Sequence, residues 1–268
     1  MKALITGATS GIGKAFASRL AQNGYDVIVH GRRRDRLESL AAELRTRCGN
    51  EVEVLVADLA RDDDLHRVET LLNDERQIDF LVNNAGFTHL APFDELDIDI
   101  IEDMIRVHVL ALTRLTRAAL PGMMKRGTGT IINVSSDGVF VTNPAPEMVA
   151  YAATKSYINM FTRGLHRLAG PRGVRVQALC PGFVTSEILD RHGITFQDWH
   201  IPDEVVMSAE DQVACSLAGL ELGEIVCVPT LDDQSLLDRI AEVEAVIRDR
   251  SSSTGTPAAR YGVASSKH

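Results

Sequence analysis

Short apolar runs alternate along this chain with longer stretches in which apolar residues return every three or four positions. The runs 3–5, 26–30, 52–57, 80–82, 130–134, 174–179 and 225–228 have strand length. Between them lie helical patterns at 12–22, 34–47, 62–73, 98–125, 150–168 and 209–221, with a last one at 232–248. Leu37, Leu40, Ala41 and Leu44 share one helical face, and Leu236, Leu237, Ile240, Val243 and Ile247 form an apolar stripe suited to covering the core or a subunit neighbour. Repeated strand–helix alternation predicts a single-domain, Rossmann-like α/β fold: a three-layer sandwich with a mostly parallel seven-stranded sheet and helices on both faces. Ligands in such sheets bind at the C-terminal ends of the strands, where the strand order reverses. The domain is expected to span 1–250. Residues 251–268 are rich in Ser, Gly and Ala and read as a flexible tail.

Composition narrows the classes. A chain of 268 residues with 45% apolar content can bury one large core. The net charge of −9 argues against general nucleic-acid binding by a basic surface. Cys48, Cys180, Cys215 and Cys227 have neither metal-like nor disulfide-like spacing, which fits a reducing compartment and small core residues. No apolar run approaches the roughly 18 residues of a membrane span. The first strand begins at residue 2 or 3, leaving no room for a cleavable leader, so a cytoplasmic location is expected.

The candidate chemistry begins where the first strand ends, in Thr6-Gly7-Ala8-Thr9-Ser10-Gly11-Ile12-Gly13. Glycines let the backbone turn sharply and approach a ligand. The following helix offers unpaired N–H groups and a positive dipole end to a phosphate. The turn therefore suits the pyrophosphate of a dinucleotide, with a plain glycine turn as the competing account. At the end of the second strand, Gly31 stands where an acidic residue would bind a ribose 2′-hydroxyl, and Arg32 and Arg33 follow. A guanidinium there suits a 2′-phosphate, so NADP(H) is the expected cofactor and a solvated basic helix start the alternative.

Further segments resemble the short-chain dehydrogenase/reductase family over roughly residues 2–190. The T-G-x-x-x-G-x-G pattern is Thr6 to Gly13. Asp58-Leu59, Asn83-Asn84-Ala85-Gly86, Asn133-Val134-Ser135-Ser136, Tyr151-Ala152-Ala153-Thr154-Lys155 and Pro181-Gly182 follow in the family's order at strand ends. The resemblance implies an oxidoreductase that moves a hydride between NADP(H) and a ketone or secondary alcohol. Ser136, Tyr151 and Lys155 would be catalytic. Gly7, Thr9, Ser10, Gly11, Ile12, Gly13, Arg32, Arg33, Asp58, Leu59, Asn84, Ala85, Gly86, Tyr151, Lys155, Pro181, Gly182, Val184 and Ser186 would hold the cofactor. No metal is implied, and a homodimer or homotetramer is.

Tyr151 and Lys155 lie four apart and share a helix face. A cation beside a phenol is expected to lower its pKa and make it a working acid/base. Ser135 is the neighbouring rival to Ser136. One position departs from the family: counting back thirteen residues from Pro121 gives His108, where the family usually has an Asn. His108 could replace that Asn in a proton relay, shift the pH dependence, or break the relay. The Ser136–Tyr151 spacing is about two residues longer than usual, with the extra length in 143–148; this loop and Phe87-Thr88-His89 should rim the substrate pocket. Residues 187–208 stand in the place of a substrate lid. Ala111, Leu112, Leu115, Ala119, Tyr157 and Phe161 could form a subunit face or simply core. Two other functions remain open: a non-redox isomerase or epimerase using the same pocket, and a binding or regulatory protein on the same fold.

Overall fold

The computed structural model describes residues 1–73, 77–185, 198 and 200–263. Its sheet has seven strands: β1 (Lys2–Ile5), β2 (Asp26–Gly31), β3 (Val52–Val56), β4 (Ile78–Asn83), β5 (Gly129–Val134), β6 (Val174–Leu179) and β7 (Val226–Cys227). Their order is β3-β2-β1-β4-β5-β6-β7, and every pair is parallel. The reversal of order falls between β1 and β4.

Alternation within each strand builds both faces. Ala3 and Ile5 of β1 face one core with Val27, Val29, Phe80 and Ile132. Helices α1 (Gly11–Gln22) and α2 (Arg34–Cys48) close that face through Phe16, Leu20, Leu37 and Leu44, and α7 (Ala209–Leu222) through Val213 and Leu220. Leu4, Ile28, Leu81, Ile131 and Val176 face the other way. There α3 (Asp62–Leu72), α5 (Leu112–Arg126) and α6 (Val149–Ala169) pack through Leu65, Leu115, Met123 and Leu165. Each such buried Leu or Phe contributes about 1.5–3 kcal/mol.

The single helix expected over 98–125 is continuous but not uniform. α4 (Ile98–Ile105) passes into a π-helical segment, Arg106–Ala111, before α5. The wider turn inserts a residue and shifts which side chains face inward. Ala111, Leu112, Leu115 and Ala119 are buried within the chain itself, so core packing accounts for them. Tyr157 and Phe161 stack at 5.7 Å with 12° between ring planes, and Tyr157 is exposed beside Met160.

The chain divides into two compact units, Met1–Pro229 and Thr230–His268. The first holds the whole sheet. The last helix, α8 (Ser235–Ser252), which the sequence assigns to the catalytic domain, lies with the tail in the second unit. Most of its apolar stripe, Leu236, Ile240, Val243 and Ile247, is exposed. In the tail, the Arg260 guanidinium stacks over the Tyr261 ring at 4.7 Å.

His30, at the end of β2, is buried, and neither ring nitrogen has a hydrogen-bond partner among the described residues. Burial pushes its pKa down to about 4; the nearby Ala57 backbone and the Asp58 and Asp64 carboxylates offset only part of this. The neutral ring is therefore the native form. Its contribution to stability is fully present above the unfolded pKa of about 6.5 and is lost as the pH falls towards about 4. His30→Leu should remove up to about 3 kcal/mol of this acid-side loss and be near neutral in mild alkali, where no buried polar atom is left unpaired. Urea titrations of both proteins across that pH range check it; parallel pH dependences would refute the assignment.

Candidate active site

A parallel sheet ends in backbone groups that no further strand completes, and here side chains complete them. The Thr6 hydroxyl donates to the Val82 carbonyl at 3.2 Å and accepts from the Asn84 and Ala85 amides at 2.9 and 3.0 Å. The Asn84 side chain donates to the Thr6 and Gly7 carbonyls at 2.9 and 3.2 Å. Asn83 donates to Thr116 Oγ1 and Asn133 Oδ1, and Asn133 donates to Thr162 Oγ1. These bonds tie β1, β4, β5, α5 and α6 together at the strand ends.

The glycine turn sits on this platform. Gly7 (φ +69°) and Gly11 (φ +53°) occupy the left-handed region that favours glycine. A Cβ on Gly13 would meet the Gly7 carbonyl oxygen at 2.3 Å and Asn84 Nδ2 at 2.4 Å. Gly13 thus brings α1 against the turn, and it does not line the cleft, contrary to the expected cofactor contact. Ser10 precedes α1 without turning its hydroxyl onto the helix amides, which leaves first-turn N–H groups for an anion.

A cleft of about 780 Å³ runs along the strand ends. Arg32, Arg33, Asp58 and Leu59 line it beside β2 and β3, followed by Gly7, Thr9, Ser10, Gly11 and Ile12. Asn84, Ala85 and Gly86 come next, then Ser136, Tyr151, Lys155, Pro181, Gly182 and Val184. β2 and β5 are three strand spacings apart, about 14 Å, so the two ends suit the two halves of an extended ligand. Ser186 lies outside the described residues. Phe87, Thr88 and, from the 143–148 loop, Met148 line the cleft as expected, whereas His89 does not; Val141, just before that loop, lines it too. Of the expected lid, 187–197 and 199 lie outside the described residues; its far end returns beside Val184, where the Met207 amide donates to the Phe183 carbonyl at 2.9 Å.

At the first end, Arg33 donates to Thr9 Oγ1 at 2.7 Å and Ser10 Oγ at 3.2 Å, while the exposed Arg32 approaches Asp58 at 3.8 Å. A Cβ on Gly31 would meet Thr9 Cγ2 at 2.8 Å, so a side chain there requires Thr9 to shift.

At the second end, Lys155 is buried and donates to the Val134 carbonyl at 2.9 Å. The rival Ser135 is committed elsewhere, donating to the Lys155 carbonyl at 2.9 Å. Ser136, the next residue, lines the cleft with Tyr151 and acts to lower the Tyr151 pKa. The expectation of an acidified phenol needs correction. Burial raises the Tyr151 pKa to about 12, and Ser136 offsets only part. The Lys155 ammonium stands 5.5 Å from the Tyr151 ring centroid, over the ring face, and gives a hydrogen bond to Val134. Burial also lowers the Lys155 pKa to about 8, which weakens its charge.

His108 lies in the π segment, buried behind the cleft wall. The Phe87 amide donates to its Nε2 at 3.0 Å, which makes Nε2 an acceptor and places the proton on Nδ1. Nδ1–H then donates to Thr154 Oγ1 at 2.9 Å, and Thr154 donates to the Tyr151 carbonyl at 2.8 Å. Burial first, and Lys155 second, hold its pKa well below 6.5. Both nitrogens are engaged, so a relay through this ring requires one of those bonds to break. A Cβ on Gly86 would meet Nε2 at 2.8 Å, which explains that glycine.

One site residue escaped the sequence reading. Asp137, directly after Ser136, lines the cleft and accepts from Ser136 Oγ at 3.2 Å. The signal was an acidic residue adjoining a matched serine.

Fold and site together define a Rossmann-like α/β protein with a cleft at the switch in strand order. The short chain dehydrogenase family model matches residues 1–194, and the chain belongs to that family. Very-long-chain 3-oxoacyl-CoA reductase of Anas platyrhynchos is 36% identical over 192 residues, covering 69% of this chain and 60% of that protein. The Homo sapiens protein of the same name is 33% identical over 190 residues, with the same coverage. The chain thus spans about three fifths of the length of these curated relatives. A short-chain dehydrogenase from Sphingobium yanoikuyae, solved in complex with NADPH, superposes with a TM-score of 0.88 at 35% identity, covering 96% of this chain and 98% of that one. The bulky-bulky ketone specific alcohol dehydrogenase from Comamonas testosteroni gives a TM-score of 0.83 at 30% identity, covering 97% and 98%.

His108→Asn shortens the side chain and should break the link to Thr154. The melting temperature should fall by several degrees, since a lost buried hydrogen bond costs about 1–3 kcal/mol. Any pH optimum of turnover should stay in place, because a neutral, closed ring does not titrate in the working range. A displaced pH profile would instead show the imidazole carrying protons.

Proposed function

We propose that the protein is an NADPH-dependent ketone reductase, able to run in reverse as a secondary-alcohol dehydrogenase. The supporting observation is that one cleft carries Ser136, Tyr151 and Lys155 at one end and Arg32 and Arg33 at the other. The residues fit the cofactor: the first turn of α1 is uncapped by Ser10, Gly31 puts no acidic side chain at the end of β2, and two guanidinium groups stand beside that position. The first turn of α1 would bind the pyrophosphate, and Arg32 and Arg33 the 2′-phosphate. NADPH, when bound, supplies the hydride for the carbonyl carbon and leaves as NADP⁺. Tyr151 delivers the proton that completes the alcohol oxygen. Ser136 supports the charge that develops on that oxygen. Lys155 orders the ribose side of the site and holds α6 to β5. Burial keeps the Tyr151 phenol protonated in the resting site, so the proton that reduction consumes is present, on a group that burial makes a weaker acid.

The NADPH-bound Sphingobium neighbour supports the cofactor, and the names of the relatives support a ketone carbonyl as the reacting group. His108, which would favour an isomerase or epimerase, is closed off behind the cleft wall. His108 acts in this reading as a positioning residue that braces the 86–87 loop against α6. A homodimer or homotetramer is part of the same proposal; exposed Tyr157, Met160 and Leu168 on α6, with Leu110 nearby in sequence to α5, supply apolar surface for it. A cytoplasmic setting, with four free cysteines, completes it.

With NADPH and a panel of ketones, Tyr151→Phe should lower kcat at least about 100-fold while NADPH still binds, as expected for loss of general acid catalysis. Arg32→Ala combined with Arg33→Ala should raise KM for NADPH roughly tenfold or more, with little effect on NADH. Equal effects on both coenzymes would overturn the 2′-phosphate assignment. Met160→Asp should convert the oligomer to monomers in light scattering; unchanged mass would exclude this face.

A further inference from the structure

Asp137 is a charged group of the cleft that the reaction as described does not use. It follows Ser136, which lines the cleft with Tyr151, and its carboxylate accepts the Ser136 hydroxyl at 3.2 Å. Its amide donates to the Pro181 carbonyl at 3.0 Å, and Oδ2 lies 3.3 Å from the position a Cβ on Gly182 would take. The carboxylate is thus held between the catalytic serine and the Pro181-Gly182 turn, and it borders the cleft. The same cleft carries apolar walls: Phe87, Leu90, Val107, Val141, Met148 and Phe183. Among the described residues, the remaining charges there are the acidic Asp103 and Lys155, and Lys155 sits over the face of the Tyr151 ring, bonded to Val134. Arg32 and Arg33 are about three strand spacings away.

We propose that Asp137 is a specificity-determining residue that confines this site to ketones carrying no negative charge next to the carbonyl, such as keto esters and keto thioesters, and rejects keto acids. This rests on the ketone-reductase reading. A carbonyl oxygen placed between Ser136 and Tyr151 puts the atoms joined to its carbon within a few ångströms of the Asp137 carboxylate. A substrate carboxylate there meets a like charge; Asp137 is exposed in the open cleft, and a bound substrate that displaces water from between the two charges strengthens their repulsion. An ester or thioester of the same shape meets none. Ser136 itself gains a fixed orientation, because its oxygen also accepts from the Gly138 amide at 3.1 Å.

The test follows NADPH oxidation with ethyl benzoylformate and with benzoylformate in mild alkali, for the wild type, Asp137→Asn and Asp137→Ser. The wild type should prefer the ester. Both variants should raise the acid-to-ester ratio of kcat/KM by at least roughly tenfold, mainly through KM for the acid, since removing a repulsion of about 1.4 kcal/mol changes affinity tenfold. A ratio that shifts less than roughly threefold in both variants overturns the assignment while leaving the reductase reading intact. A wild type that turns over neither compound nor any other neutral ketone overturns both.

Discussion

The active site depends on how the C-terminal ends of a parallel sheet are finished. Those ends present carbonyls and amides with no strand to pair them, and an unpaired buried backbone group costs about as much as a lost hydrogen bond. In this protein Thr6, Asn84 and Lys155 do the pairing, and Asn83 and Asn133 link side chains across the strand ends. Each of these bonds also fixes something the site needs. Asn84 holds the glycine turn, Asn133 reaches α6 through Thr162, and Lys155 fastens α6 to the end of β5. The catalytic geometry is therefore a by-product of satisfying the sheet, and it is stiff for that reason.

Burial gives the same site its electrostatic character. Tyr151 and Lys155 are both pushed toward their neutral forms, the phenol up to about 12 and the ammonium down to about 8. The two shifts share a cause, desolvation, and it outweighs their mutual attraction because the ammonium faces the ring and the Val134 carbonyl. His108 follows the same rule, kept neutral by burial and by an amide that fills one nitrogen. The π-helical turn from Arg106 to Ala111 brings it inward. The imidazole braces two walls of the cleft: the Phe87 backbone on one side, and Thr154 with the Tyr151 carbonyl on the other.

Much of the architecture was legible as pattern. Seven apolar runs separated by helical periodicities became seven parallel strands covered on both faces, because strands buried on both sides must be apolar throughout. The cleft lining was legible as motif, since glycines, Asn84 and the Ser136–Tyr151–Lys155 set sit at fixed offsets from strand ends. Gly13 shows the limit of motif reading: it belongs to the pattern because α1 must pack against the turn, and it is absent from the cleft wall. The four buried residues 111, 112, 115 and 119 show another, since an apolar helix face does not state whether its partner is the same chain or a second one.

Local order of residues decided which segments became strands and helices, where the chain turns, and which residue types gather at the strand ends. Those properties depend on spacing along one dimension, which a sequence displays directly. Three matters were settled only in space: the direction of the Lys155 ammonium, the partners of each His108 nitrogen, and the approach of Asp137 to Ser136. Protonation and hydrogen bonding follow from distance and burial, and these arise from contacts between residues as far apart in the chain as 87 and 108, or 134 and 155.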